Sequence, residues 1–239
     1  MLSKLFFTLF FLLSGLGANS SEFTKLCIAS DVDEVVPKLR FILSDIYNDI
    51  GIKVSVRALP SARMIKDFRS GDCDSIAILS KVIEGDEFIF VGDPVFGQLP
   101  YGLWKRKDSH PVDIKKAKII RTRGNIYADY YMAKFGYKNA VESIDIPNGF
   151  TLLEKGRGDF LIAAQTSIIF AKDKDKFVFV EDNVEKLDLY HVIGRKISRY
   201  EKSLAVEIKK RIDKGAFAVK NIVGQVDDNY IEYYRNNLK

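Results

Sequence analysis

The sequence has few of the residues that build metal, redox or nucleophilic sites. Among its 239 residues are two cysteines, two histidines and one tryptophan. His110 and His191 lie far apart, and neither has another histidine or a cysteine beside it at metal-ligand spacing. The chain also lacks a nucleophile elbow and a convincing pair of carboxylates at strand ends. We therefore predict that the protein is not an enzyme and needs no metal or cofactor.

Beyond its first residues the chain also lacks low-complexity segments, short-period repeats and a concentrated basic patch. The formal net charge is +5, but the basic runs at residues 105–107 and 115–118 are short and lie beside acidic residues. A protein that binds nucleic acid is expected to gather lysine and arginine on one face. We predict a solvated surface of mixed charge and no nucleic-acid partner.

The amino terminus carries the pattern of a secretory signal peptide. Lys4 precedes an uncharged stretch, residues 5–21, in which Phe and Leu dominate as far as Leu13. Its apolar part is shorter than the ~20 residues of a membrane-spanning helix. No cysteine that could carry a lipid follows the small residues at its end. We predict that residues 1–20 are cleaved and that the mature protein is soluble in the periplasm.

Cys27 and Cys73 are expected to share this oxidising compartment. One disulfide and two buried free thiols are both compatible with the sequence, because the Cα separation that decides between them cannot be derived from it. Both alternatives stay open at this point.

Patterns typical of strands and helices alternate along the rest of the chain. The first unit contains strands near residues 26–29, 53–58 and 75–79, with helices between them that end at Gly51 and Gly71. A second, smaller unit repeats this order, with strands near 117–121, 141–144 and 160–164 and helices near 125–135 and 148–155. In such βαβ units the strands are parallel, and their carboxyl ends carry the ligand-facing loops. An amphipathic helix over residues 198–212 is predicted to return to the first unit.

Short motifs in a fixed order carry a resemblance to a known family. They are Leu-Pro-Ser-Ala-Arg at 59–63 with Gly71 and Asp74, the turn at 90–96, Arg-Gly-Asn at 123–125, Gly-Arg-Gly-Asp-Phe at 156–160 and the last helix with its glycine at 203–215. In this order and spacing, the chain resembles the family-three solute-binding proteins. These small type II periplasmic binding proteins serve ABC importers of amino acids and other polar solutes. The resemblance covers about residues 25–223.

The resemblance implies an α/β protein with the two-lobed, type II periplasmic binding protein-like fold. Residues 21–104 and 188–239 would form the first lobe and residues 105–187 the second, with crossing hinge segments near 98–107 and 184–191. The implied partner is the membrane component of an ABC importer or a sensor protein, and the implied oligomeric state is a monomer.

Two positions depart from the amino-acid-binding members of that family. Those members carry an arginine after the last strand of the first βαβαβ unit, whereas residues 80–87 contain none. They also carry an aspartate after a second-lobe strand, whereas residues 163–166 read Ala-Ala-Gln-Thr. We therefore predict a polar solute without naming an amino acid.

Four candidate ligand contacts lie in the predicted first lobe: Asp31, Arg63, Ser80 and Tyr101. Asp31 follows the first strand, where it would either accept a hydrogen bond from a ligand or cap the next helix. Arg63 lies in the first turn of a helix, where a cation opposes the macrodipole and so has no obvious stabilising role. Ser80 would offer a hydroxyl or cap a turn, and Tyr101 would form a wall of the cleft or pack in the core.

Five further candidates lie in the predicted second lobe. Arg121 and Arg123 end a strand before a predicted helix start, on the same side of that strand, which suits a carboxylate or phosphate. Asn125 stands where the family begins this helix. Gln165 and Thr166 follow a later strand, where an amide both donates and accepts hydrogen bonds. Together these residues predict a small, polar, anionic solute.

The leading hypothesis is a periplasmic protein that captures this solute between two closing lobes for an ABC importer. One alternative is an orphan ligand-sensing or interaction protein on the same fold, and another is a periplasmic lyase or dehydratase, for which Glu84 or Glu87 would be the first-lobe carboxylate. A cleft filled by the protein's own side chains would favour the orphan receptor. An open, charged cleft would favour transport.

Overall fold

The computed structural model describes residues 23–30 and 36–218, so the predicted signal peptide and Asp31 lie outside the described residues. The first part of the chain alternates strands and helices. Its elements are β1 (Phe23–Ala29), α1 (Val36–Asp49), β2 (Lys53–Leu59), α2 (Ser61–Arg69), β3 (Ser75–Ser80) and β4 (Ile89–Val91). None of the helices in the described ranges is long and apolar enough to cross a membrane.

The later elements repeat this alternation and end in a helix. They are β5 (Gln98–Arg106), β6 (Ile119–Thr122), α3 (Ile126–Phe135), β7 (Ala140–Ser143), α4 (Ile146–Glu154), β8 (Phe160–Ala164), β9 (Phe177–Phe179), β10 (Glu185–Ile193) and α5 (Glu201–Asp213), with 3₁₀-helices at Gln165–Phe170, Lys174–Lys176 and Arg195–Tyr200. Helix α4 begins two residues before the predicted start at Asn148. Asp145 caps it by accepting from the Asn148 N–H, and Pro147 fits its first turn.

The strand pairing produces two groups of parallel strands. Strand β1 lies between β2 and β3 and is parallel to both, and β6 lies between β7 and β8 in the same way. The full order is β2-β1-β3-β10-β5-β8-β6-β7, with β4 against β10 and β9 against β5. We call β1–β4 with α1, α2 and α5 the first lobe, and β5–β9 with α3 and α4 the second lobe.

Strand β10 joins the two lobes. Its residues Glu185 to Asp188 pair with β5, whereas Leu189 to Ile193 pair with β3 and β4. The start of β5 is the second crossing, because Gln98 pairs with Asp188 and Tyr101 already pairs with Ala164 of the second-lobe strand β8. In the part of the chain that the structure describes, two adjacent, antiparallel segments thus connect the lobes.

Helices cover both faces of the first-lobe sheet. On one face α1 and α5 bury Leu43, Ile46, Leu204 and Ile208, none of which is exposed. On the other face α2 buries Met64, Ile65 and Phe68. Each such side chain contributes about 1.5–3 kcal/mol when it is removed from water, so the pattern at helical spacing that predicted these helices also supplies their stability.

Cys27 and Cys73 form a disulfide, which decides between the two alternatives that the sequence left open. Their Cα atoms are 5.9 Å apart, and both residues are buried. The bond joins β1 to the turn before β3. Closing a loop with a sequence separation of 46 residues stabilises the folded chain by about 4 kcal/mol in the chain-entropy account.

Candidate functional site

The candidate site is the junction between the lobes, where the carboxyl end of β3 and the start of α2 face the loop before α3. Ser80, the last residue of β3, is 2% exposed. Its backbone N–H donates to the hydroxyl of Tyr127 in the second lobe, with 3.0 Å between the two atoms. The end of the strand is therefore in direct contact with the opposite lobe.

The start of α2 makes a second hydrogen bond between the lobes. Pro60 occupies the N-cap position, so no side chain satisfies the free N–H groups of the first turn. The N–H of Ala62 donates instead to the carbonyl of Gly124 in the second lobe, at 3.1 Å. Gly124 has φ of +73°, a conformation that side chains other than glycine rarely adopt. Two backbone donors of the first lobe thus bond to oxygens of the second lobe.

Asn125 holds the second-lobe side of this junction in place. It is the N-cap of α3, and its Oδ1 accepts from the N–H groups of Tyr127 and Ala128, each at 3.0 Å. The hydroxyl of Tyr101 donates to the same oxygen at 3.3 Å. The Tyr101 and Tyr127 rings lie edge to face, with centroids 6.1 Å apart. Asn125 therefore acts as a helix cap that also fixes two tyrosines at the cleft.

Tyr127 also makes apolar contacts with the first lobe. Together with Ile126 it packs against the first-lobe cluster that contains Met64 and Leu79. Burial raises the pKa of the Tyr127 phenol above its usual range, which keeps the phenol protonated at every physiological pH. The lobes are consequently closed on each other at this point.

The two arginines predicted to bind an anion are engaged in ion pairs on the second-lobe sheet. Arg121 pairs with Asp129 of α3 and with Glu142 of β7. Arg123, whose side chain is 71% exposed, pairs with the same Glu142 at 2.9 Å. Both side chains reach one carboxylate, as alternation along the strand requires, but that carboxylate belongs to the protein. Their positive charge is therefore compensated before any solute arrives.

Arg63 has the stabilising role that its sequence position did not indicate. Its Nε lies 2.5 Å from the carboxylate of Asp67, one turn later in α2. Asp67 is 2% exposed, and Arg57 on β2 approaches its other oxygen at 3.1 Å. A buried carboxylate needs such partners, so Arg63 compensates a charge within its own helix.

The remaining predicted residues lie along the second-lobe strand β8 and the crossing strand β5. Gln165 and Thr166 begin the 3₁₀-helix that follows β8 and are half-buried. Trp104 packs in the second-lobe core: its ring lies against Phe150 and Phe179, and its N–H donates to the Ala164 carbonyl. Within residues 23–30 and 36–218, no group of three or more His, Cys, Asp or Glu side chains is placed to hold a metal ion.

Sequence reasoning missed Tyr127, Ala62 and Gly124. The glycine was noticed only as part of the Arg-Gly-Asn motif, and an aromatic residue two positions after a helix cap is not a recognised signal for a site. The sequence did contain a signal. Pro60 stands at the start of α2 in the first lobe, and the aromatic Tyr127 lies just inside the start of α3 in the second lobe.

A surface cavity of about 400 Å³ lies elsewhere on the second lobe. Lys105, His110, Val112, Asp159 and Asn183 are among the residues that line it. None of the predicted ligand contacts does so. The cavity is therefore separate from the junction between the lobes.

No protein-family model and no curated protein matches the sequence. Solved structures match it closely in shape. A histidine kinase sensor domain with similarity to periplasmic binding proteins has a TM-score of 0.68 at 16% identity over 83% of this chain and 94% of that chain. The cysteine-binding protein from Campylobacter jejuni has 0.66 at 15% over 87% and 93%. An ancestral arginine-binding protein bound to arginine has 0.64 at 13% over 82% and 94%.

These neighbours confirm the resemblance that the sequence motifs carry, at the level of the fold. The match extends over 82–87% of this chain and so includes both lobes. The chain has the α/β, two-lobed type II periplasmic binding protein fold.

Proposed function

We propose that this protein binds a small polar solute between its two lobes. The observation that carries the proposal is the convergence of the β3 end, the α2 start and the segment from Gly124 to Tyr127 at one junction. In open α/β sheets, ligands bind beyond the carboxyl ends of the strands, where backbone N–H groups are free of strand partners. Ser80, at the end of β3, and Ala62, at the start of α2, provide two backbone donors at this junction.

The crossing strands supply the movement that capture requires. Each lobe has its own core, and within residues 36–218 the chain passes between them only at the start of β5 and in the middle of β10. A rotation at these two adjacent segments would open the junction. Ile126 and Tyr127 would then leave the first-lobe cluster, whereas the clusters around Leu43 and Trp104 would keep their contacts. A solute that contacts both lobes would favour, through its differential affinity, an arrangement of the lobes in which it lies between them.

The proposed solute presents hydrogen-bond acceptors to the first lobe and is about the size of an amino acid. Solved neighbours bind arginine or cysteine according to their names, so an anionic solute is not supported. The ion pairs of Arg121 and Arg123 argue in the same direction. The absence of an arginine in residues 80–87 still separates the chain from the usual amino-acid clamp.

A thermal-shift screen of the mature protein tests the proposal. The screen contains amino acids, small carboxylates, phosphates, polyamines and oligosaccharides, because a solute that binds only the folded state raises Tm. It is run on the wild type and on Tyr127→Phe, and hits are measured by calorimetry. Saturable binding of one chemical class supports the proposal. No shift in either protein contradicts it.

A second candidate function is an orphan receptor that signals or interacts without tight solute binding. The hydrogen bonds from Ser80 to Tyr127 and from Ala62 to Gly124 favour it, because the protein's own groups occupy the cleft. The histidine kinase sensor domain among the structural neighbours is consistent with a signalling partner, whereas the other neighbours suggest an ABC importer. A negative screen together with binding to a membrane protein would select this candidate.

A further inference from the structure

We propose that Tyr127 is an intramolecular latch: its phenol takes the place of a solute at the end of β3, closes the lobes without one, and must be displaced when a solute binds. The inference rests on the proposed function, because it concerns the same junction. It goes further by naming the side chain that competes with the solute.

The first argument is that second-lobe oxygens replace a solute at both first-lobe donors. The Ala62 N–H lies in the first turn of α2, where the helix provides no acceptor, and the Ser80 N–H belongs to the last residue of β3. The Tyr127 hydroxyl accepts from the first at 3.0 Å, and the Gly124 carbonyl accepts from the second at 3.1 Å. A solute in this junction would need to provide the same two acceptors.

The second argument is that the Tyr127 ring fills space between the lobes. It lies edge to face with Tyr101 on one side and packs against the first-lobe cluster on the other. A solute of any size cannot share that volume, because protein interiors are close-packed. Opening the latch therefore requires the whole phenol to leave the first lobe.

The third argument is that the latch is rigidly attached to the second lobe. Tyr127 lies in the first turn of α3, and the Asn125 cap holds its N–H. The ring therefore moves with α3 and leaves Ser80 when the second lobe rotates away. Opening of the lobes and release of the Ser80 N–H are one event.

The expected consequence is that the latch weakens solute binding. When only a fraction of the molecules is open, the apparent Kd equals the intrinsic Kd divided by that fraction. Tyr127→Phe removes the hydroxyl but keeps the ring, so we expect the open-to-closed ratio to rise about tenfold or less, as for the loss of one hydrogen bond. Tyr127→Ala removes the ring as well and should produce a larger opening.

The matched control is Tyr131→Phe, one turn later in the same helix. The Tyr131 hydroxyl donates to the Asn183 carbonyl at 2.7 Å, and both groups belong to the second lobe. This variant also loses one phenolic hydrogen bond, but none between the lobes. Any opening caused only by weaker packing of α3 would occur in both variants.

Distances between nitroxide labels on Lys66→Cys and Ile144→Cys measure the opening, because both positions are exposed, one on α2 and one after β7. Without solute, we expect one short distance in the wild type and in Tyr131→Phe, and an added longer distance in Tyr127→Phe and Tyr127→Ala. Identical distributions in all four proteins would overturn the latch.

Solute binding distinguishes failure of the latch from failure of the proposed function. If Tyr127→Phe opens but neither it nor the wild type binds any solute of the screen, the latch stands and solute binding fails. If the wild type binds a solute with the affinity of Tyr127→Phe, solute binding stands and the latch fails. A Tyr127→Phe variant that binds up to about tenfold more tightly than the wild type supports both.

Discussion

The two lobes share one order of strands and helices but are stabilised in different ways. The first lobe contains the disulfide and a buried polar pair, in which His191 Nε2 lies 2.9 Å from the Tyr47 hydroxyl. The second lobe has no cysteine, and its core around Trp104 depends on packed aromatic rings, with the Phe179 centroid 5.1 Å away. The comparison teaches that sensitivity to reductant should be confined to the first lobe, where the buried His191 also makes stability sensitive to acid.

The lobes also differ in what they bring to the cleft. The first lobe contributes backbone N–H donors at the ends of β3 and α2, and these positions are set by secondary structure. The second lobe contributes acceptors, the Gly124 carbonyl and the Tyr127 hydroxyl, and the position of the latter depends on the Asn125 cap. Donors and acceptors are thus separated by lobe, which is why closure satisfies both sets.

Loss of the disulfide should produce the largest effect that distinguishes the first lobe from the second. In Cys27→Ala with Cys73→Ala we expect the free energy of unfolding to fall by about 4 kcal/mol, since the unfolded chain regains the entropy of a loop with a sequence separation of 46. Chemical denaturation measures the loss, and hydrogen exchange locates it in β1 and β3.

Reductant provides the control for that experiment, because it should lower the Tm of the wild type and leave that of the double variant unchanged. Equal loss of exchange protection in β6 and β8 would show that the lobes unfold as one unit and would remove the contrast between them.

Acid should produce the next largest effect, through His191. This residue is fully buried, and desolvation lowers its pKa from 6.5 to about 4. Between these values the unfolded state binds a proton that the folded state excludes, so stability present above pH 6.5 is lost as the pH falls toward 4. We expect a loss of roughly 3 kcal/mol, measured by urea unfolding at both ends of this range.

The hydrogen bonds of His191 define the control. Its Nδ1 lies 3.2 Å from the Ala77 carbonyl and so carries the proton, which leaves Nε2 to accept from the Tyr47 hydroxyl. His191→Gln should remove this part of the pH dependence, whereas His110→Gln at an exposed position should retain it. A pH profile that is identical in wild type and His191→Gln would contradict the assignment.

Neutralising the sheet arginines should have the smallest effect. In Arg121→Gln with Arg123→Gln we expect a loss of at most about 1 kcal/mol, because exposed ion pairs contribute little. Binding of any solute found in the screen should be unchanged, as measured by calorimetry. Loss of binding would instead support the anion-binding role that the sequence predicted for these two arginines, and it would place the solute site nearer the second lobe.

Much of the fold followed from local patterns. The apolar spacing over residues 35–50 predicted α1, and the β-branched alternation over residues 53–58 predicted β2, because burial on one face imposes a period on the sequence. The start of α4 was placed two residues late, because the capping role of Asp145 was not recognised.

The candidate site was only partly predictable. Ser80, Tyr101 and Asn125 do lie at the junction, because strand ends and helix starts meet there. Arg121 and Arg123 had the residue types of an anion site, but Glu142 on the neighbouring strand pairs with both, and strand register is not visible in local sequence. Tyr127 was missed because its role depends on the opposite lobe.

By itself, the sequence determined the alternation of strands and helices, the two-lobed fold class that its motifs resemble, and the lack of an arginine in residues 80–87. These properties depend on residue types over short stretches, where sterics and burial act locally. Only the tertiary structure decided that Cys27 and Cys73 bond, that the arginines are paired, and that Tyr127 reaches Ser80. Each of these depends on a distance between residues that are far apart in the chain, and such distances are set by register and by the closure of the lobes.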